Sequence, residues 1–258
     1  MSATFTMRDA ATLLLVRDTS AGLEVFMVER PGAADFGGMH VFPGGKVDAG
    51  DSSAESCCVA LNDSLASERL GIARGGIAFW SAVIREAFEE AGVLLGYRGE
   101  RLVDLSDASM RDRFADYRAA VHKGDMSIVD LCQREDVRLA TDRVHYFSHW
   151  ITPVGPPRRY DTRFFLAHMP ENQEPAHHEG ELEDGLWVRP ADALAHQVAG
   201  KWTMIFPTLT TLRSLARYER VAALEADVLA WRHLPEVTDE RHRQGMQHSL
   251  PSAKRGDR

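Results

Sequence analysis

Arg85-Glu86-Ala87-Phe88-Glu89-Glu90-Ala91-Gly92 is the stretch around which the chain is organised. At about 100° per residue, Glu86, Glu89 and Glu90 (i, i+3, i+4) fall on one side of a helix, and Trp80, Ile84, Ala87, Phe88 and Ala91 fall on the other. One side is core and the other is carboxylate. Acids this close repel, by roughly 0.2–0.5 kcal/mol for an i,i+4 like-charge pair, unless a cation neutralises them. Hard oxygen ligands of this kind suit Mg²⁺ or Mn²⁺. Arg85 is spaced to pair with Glu89 at i,i+4, and Gly92 suits the C′ position that ends a helix. A solvated acidic face steadied by an arginine would read the same way, so the surrounding stretches decide.

Working outward, Phe42-Pro43-Gly44-Gly45-Lys46-Val47-Asp48-Ala49-Gly50-Asp51 is a glycine-rich loop that lets backbone approach a metal or a phosphate closely. Together the two stretches resemble the signature of the Nudix hydrolases, G-x5-E-x7-R-E-U-x-E-E-x-G-U, with U a bulky apolar residue. Gly45 matches the first glycine, and Arg85, Glu86, Glu89, Glu90, Gly92 and Val93 match the second half. Asp51 stands where the first Glu is expected, and Ala87 is small where a bulky residue is usual. The 33 residues 52–84 separate Asp51 from Arg85, where the pattern has 7, so about 26 are inserted within the signature. An interrupted signature resembles the branch that contains the peroxisomal coenzyme A diphosphatases, as does Pro157-Arg158-Arg159-Tyr160-Asp161-Thr162-Arg163-Phe164-Phe165.

The resemblance implies an α/β fold: a Nudix-type α/β/α sandwich with a mixed central sheet, plus inserted and C-terminal helices. It implies a metal-dependent diphosphatase acting on a small-molecule nucleoside diphosphate derivative, with coenzyme A or acyl-CoA preferred over NADH, ADP-ribose or a nucleotide sugar. A Nudix-fold binding or regulatory module with weak turnover is the other reading. Mg²⁺, or Mn²⁺, is expected on Glu86, Glu89 and Glu90 with the Gly44 carbonyl. Arg85 is expected in the catalytic set with Glu86, Glu89 and Glu90, Gly45, Asp51 and Gly92 are expected to support the signature, and Glu86 or a loop acid to serve as base.

The local patterns fit that expectation. Residues 10–16 and 25–29 are apolar runs of strand length joined by turn chemistry at Asp18, Ser20 and Gly22, a central hairpin. Arg30 ends the second run and is placed either to hold a phosphate or to be solvated. Within the insert, about 52–77, Ser56–Leu70 has helical spacing before Gly71, Gly75 and Gly76, so one short helix and a loop are expected, covering substrate or decorating the surface. Val93–Leu95 reads as a strand. The segment 97–142 reads as a helical insertion, with helices near 108–122 and 126–135 split by Gly124 and no catalytic role assigned.

Val144–Thr152 and Arg159–His168 form a second expected hairpin. Arg158, Arg159 and Arg163 on or beside it carry planar forks suited to bidentate phosphate binding, or to solvation at a strand end. Glu179, Glu181 and Glu183, ahead of Leu186-Trp187-Val188, are candidates for a further metal-site acid. Helices are expected from Ala191, over Thr208–Arg217, and on to about Trp231. Residues 1–232 read as one domain and 233–258 as a mobile tail.

Composition closes off other classes. Of 258 residues, 44% are hydrophobic and 26% charged, ordinary for a globular chain, and no apolar run approaches a membrane span. A formal charge of −8 argues against general nucleic-acid binding. Cys57, Cys58 and Cys132 have no C-x-x-C spacing, no secretory signal is read, and the C-terminus is no peroxisomal address, so a cytoplasmic location is expected. A homodimer is compatible with all of this.

Overall fold

The computed structural model of the chain describes residues 7–30, 38–154, 158–175 and 183–233. Its centre is β1, Met7–Thr19, whose residues Ala10, Ala11 and Leu13–Val16 are buried. The second half of β1 pairs antiparallel with β2, Gly22–Glu29, giving the expected hairpin, and its first half with β4, Gly44–Lys46. Along its other edge β1 runs parallel to β9, Arg159–His168, from Met7↔Arg159 to Val16↔His168. The outer strands are β8, His145–Ile151, and β10, Glu183–Val188, giving the order β10-β2-β1-β9-β8 with β3, His40–Val41, beside β2.

Alternation along β1 sends side chains to two cores. Ala11, Leu13 and Leu15 pack towards a long helix, while Leu14 and Val16 pack towards helices at the chain's end. The result is a mixed sheet between helical layers. The first layer is built on α2, Gly76–Ala91, with α1, Asp63–Leu70, α3, Ala108–His122, and α4, Ile128–Glu135. The second comprises α5, Pro190–Val198, α6, Phe206–Leu215, and α7, Val221–Leu229.

Several expectations are corrected. His233, expected to begin a mobile tail, is fully buried with its Nε2 2.7 Å from the Phe147 carbonyl oxygen, and 234–258 lie outside the described residues. The insert forms a 3-10 helix, Ala49–Cys57, and then α1, not one helix across Ser56–Leu70. The break comes where Ala60 takes a positive φ of 55° and Asn62 caps α1 through a bond from the Leu65 N–H. The insert neither covers the cleft nor merely decorates the surface. It caps α2, the Asp63 carboxylate accepting from the Gly75 and Ile77 N–H groups (3.0 and 3.1 Å) and the Ser67 hydroxyl from Gly76 N–H (2.9 Å). Residues 93–95 are buried but not a strand: the Gln173 amide takes both the N–H and the C=O of Leu94, each at 2.9 Å. The strand begins later, as β5, Gly96–Arg98, in a small second sheet with β6, Arg101–Leu102, and β7, Val137–Leu139, which helical spacing within 97–142 conceals.

Candidate active site

The apolar side of α2 is anchored before its acidic end is presented. Trp80 is fully buried and its indole N–H donates to the Val144 carbonyl at 2.9 Å. With that side fixed on the sheet, the last turns bring Arg85, Glu86, Glu89 and Glu90 to the rim of a cleft of about 550 Å³, across from the β4 loop. Gly92, at φ 69°, ends the helix as expected.

Arg85 organises the acids. Its Nε and Nη2 reach the two Asp51 oxygens at 3.0 Å each, its Nη1 reaches Glu86 Oε1 (2.9 Å) and Glu89 Oε1 (3.0 Å), and its Nη2 also reaches the Lys46 carbonyl (2.8 Å). Asp51, 1% exposed, also accepts the Asp48 N–H at 2.8 Å and so closes a capping box on its own 3-10 helix. The interrupted signature is therefore joined in space. A shorter acid serves because the 3-10 helix brings Asp51 close to the guanidinium.

The glycine loop meets the acids at contact distance. A Cβ on Gly44, whose φ is 151°, would lie 2.3 Å from the Ala11 carbonyl oxygen, so only glycine fits there, while one on Gly45 would lie 2.4 Å from Glu86 Oε1 and would push that carboxylate aside. Gly44 N–H donates to Glu90 Oε2 at 2.7 Å, and Arg30 Nη2 donates to the Gly44 carbonyl at 3.0 Å. Burial pushes the Glu86 carboxyl up to about 8, against the pull of Arg85 and with help from Glu90 and Glu89. Burial likewise raises Glu90 to about 7, opposed by Arg30 and the Gly44 N–H. For both carboxyl groups burial outweighs the cations beside them.

These groups fit a divalent cation by donor chemistry: carboxylate oxygens and one loop carbonyl, with oxygens of Glu86 and Glu89 already gathered on a single cationic nitrogen of Arg85. Among the described residues, no three His, Cys, Asp or Glu side chains are arranged ready-made around one point. Glu86 and Glu89 turn to Arg85 and Glu90 to Gly44, so binding an ion requires side-chain rotation.

The other predicted residues separate. Arg30 lines the cleft. Arg163 does not: β9 presents Tyr160, Thr162 and Phe164 to the cleft, and alternation turns Arg163 to the opposite face. There it is 4% exposed, paired with Asp161 and His149, with its guanidinium 5.2 Å from the centre of the Phe79 ring. This corrects its expected phosphate-binding role. Arg158 is exposed just before β9, and Arg159 donates to the Thr152 carbonyl at 3.0 Å on the hairpin whose Thr152 and Pro153 line the cleft. Glu179 and Glu181 lie outside the described residues, and Glu183 begins β10 opposite Glu29.

Other contributors carried no signature. Ile205, Phe206 and Thr208, at the start of α6, form the cleft's far wall with Trp150. Period-2 reading of β9 would have found Tyr160 and Thr162, while the α6 contribution is a tertiary fact that no local pattern marks.

A mixed sheet between helical layers, with an arginine-clamped carboxylate helix against a double-glycine loop, is the arrangement of the Nudix hydrolases, and the chain belongs to that family. The family model it matches, over residues 72–215, is the one described as the NUDT19 Nudix domain. The acyl-coenzyme A diphosphatase NUDT19 of Gallus gallus is 30% identical over 194 residues, covering 60% of this chain and 50% of that protein. Its Homo sapiens counterpart is 26% identical over 245 residues, covering 79% and 63%. The chain thus spans between half and two thirds of the length of these relatives. Among solved structures, the crystal structure of a NUDIX hydrolase from Alicyclobacillus acidocaldarius superposes with a TM-score of 0.72 at 26% identity, covering 88% of this chain and 97% of that one.

Proposed function

We propose that the protein hydrolyses the diphosphate linkage of nucleoside diphosphate derivatives with the help of Mg²⁺ or Mn²⁺, and that coenzyme A or its thioesters are its preferred substrates. The observation that carries the reading is the joining of three clustered glutamates to one end of a large cleft whose other end is apolar. Such a site offers a charged end for a diphosphate and a walled space for the groups attached to it.

Glu86, Glu89 and Glu90, with the Gly44 carbonyl, would hold the cation. When bound, it supplies positive charge that makes water more acidic and offsets charge developing on the diphosphate. Arg85 keeps Glu86 and Glu89 oriented, and its bidentate bond to Asp51 keeps Arg85 in place. Glu86 or a loop acid is assigned as the base. Arg30, at the rim beside Gly44, is positioned to take a phosphate oxygen. Arg158 and Arg159, at the hairpin mouth, are assigned to the 3′-phosphate that distinguishes coenzyme A from plain ADP derivatives. The names of the curated relatives support the choice of acyl-CoA.

The test is a Mg²⁺-dependent comparison of kcat/KM for coenzyme A, acyl-CoAs, NADH, ADP-ribose, nucleotide sugars and dinucleoside polyphosphates. Coenzyme A species should lead. Turnover of NADH or ADP-ribose at least about a hundredfold more efficiently, ~2.7 kcal/mol in transition-state binding, would reject the substrate assignment while leaving the diphosphatase standing.

A further inference from the structure

The helical insertion bonds to the backbone of the site through Arg118. Arg118 of α3 is 6% exposed, and its Nε donates to the Glu89 carbonyl at 2.8 Å while its Nη2 donates to the Glu90 carbonyl at 2.9 Å. These carbonyls belong to the two peptide planes on either side of the Glu90 Cα. Fixing both planes fixes the backbone angles of Glu90, and with them the direction of its Cα–Cβ bond. The far end of the same side chain is held by Gly44 N–H at 2.7 Å. Glu90 is therefore tied at its backbone by the insertion and at its carboxylate by the glycine loop.

Electrostatics requires a cation there. The C-terminus of a helix carries partial negative charge and disfavours acids, yet α2 places Glu86, Glu89 and Glu90 in its last turns and has no basic residue in the last one. Its final carbonyls also lack intrahelical partners. Arg118 meets both needs, supplying charge and two donors in one planar fork. Burial lowers the Arg118 guanidinium, and the opposite charge of Glu90 works against that shift. One turn further along α3, His122 Nδ1 lies 3.7 Å from Glu89 Oε2, so the insertion faces the acidic end of α2 through two residues.

We infer that Arg118 is a positioning residue for the cation site: by clamping the Glu89 and Glu90 carbonyls it sets the direction in which Glu90 presents its carboxylate. The inference rests on the proposed role of Glu89 and Glu90 as ligands. It gives the 97–142 insertion a functional task beyond filling core.

The experiment is Mn²⁺ binding to the full chain without substrate, followed by loss of the free-ion electron paramagnetic resonance signal, with far-UV circular dichroism checking that each variant is folded at the measuring temperature. Arg118→Met should raise the Mn²⁺ dissociation constant about ten- to a hundredfold, the range for losing a group that orients a ligand. Arg118→Lys should fall between, because one ammonium keeps the charge without the planar fork. A folded Arg118→Met protein that binds Mn²⁺ as the wild type does, even with a lowered melting temperature, would reduce Arg118 to a helix cap and overturn the inference. If Arg118→Met does not fold, Arg118→Lys decides, and wild-type Mn²⁺ affinity in it overturns the inference equally. A wild-type chain that takes up no Mn²⁺ removes the ligand reading itself and this inference with it.

Discussion

Asp51 and Arg85 meet through two parallel hydrogen bonds of 3.0 Å each, although 33 residues lie between them. The guanidinium is 11% exposed and the carboxylate 2%, so the pair is locked inside the protein and not displayed on it. Neighbouring acids hold Arg85 firmly charged against the effect of burial. The bond makes the interrupted signature one structural unit.

Removing one member of such a pair strands the other. Asp51→Ala should cost about 3–5 kcal/mol of stability, because Arg85 keeps its charge and loses its bidentate partner. Asp51→Glu keeps the charge but must fit one more methylene into a buried site, for about 1–3 kcal/mol. Chemical denaturation measures both. A loss in Asp51→Ala no larger than in Asp51→Glu would contradict the account of this pair.

Much of this site was legible in the sequence because its information is local. The i, i+3, i+4 spacing of Glu86, Glu89 and Glu90, the stop at Gly92 and the paired glycines 44 and 45 each follow from geometry within a few residues. The central hairpin and the β8–β9 hairpin were legible for the same reason, apolar runs bounded by turn chemistry. Arg163 was misread because a triplet of arginines suggested a single cluster, whereas strand alternation sends Arg163 to the face opposite Thr162 and Phe164. The insert's part in capping α2, and Arg118's bonds to its last carbonyls, join residues 9 to 29 apart through folds the sequence does not announce. Helical periodicity across 97–142 was real but hid three short strands, each too brief to display a period.

The placement of Arg163 makes a separable prediction. Arg163→Met should destabilise the protein by about 3–5 kcal/mol, since Asp161 and His149 lose a partner under the sheet. KM for the diphosphate substrate should not change at a temperature where the variant is folded. The double variant Arg158→Ala/Arg159→Ala should do the reverse, keeping stability and raising KM for coenzyme A about tenfold, ~1.4 kcal/mol. Steady-state kinetics beside thermal melts separate the cases, and a raised KM in Arg163→Met would return that residue to the cleft.

Stability of the metal-free protein should depend on pH through Glu86 and Glu90. Burial raises both folded values, to about 8 and about 7, above the ordinary glutamate value of about 4.3. Between those limits the folded chain binds more protons than the unfolded one, so the contribution of these acids is complete below about pH 4 and is lost as pH rises through 7 and 8. Buried His40 and His233 and half-buried His145, all shifted downward chiefly by burial, act in the opposite sense below about pH 6.5. The observable is therefore the difference between wild type and Glu86→Gln/Glu90→Gln. The double variant should gain stability relative to wild type from pH 5 to 8.5 in chelator, and a difference that stays constant with pH would refute the assignment.

The central claim is that the acidic end of α2 carries metal-dependent diphosphate hydrolysis. It is tested most directly by the initial rate of coenzyme A cleavage to 4′-phosphopantetheine and adenosine 3′,5′-bisphosphate, at saturating Mg²⁺, in wild type, Glu89→Gln and Glu90→Gln. Each substitution removes one charge with almost no change of volume. The account predicts chelator-sensitive cleavage by wild type and a loss of at least about a hundredfold, ~2.7 kcal/mol, in each folded variant. Wild-type rates in Glu90→Gln, or cleavage that persists in chelator, would contradict it.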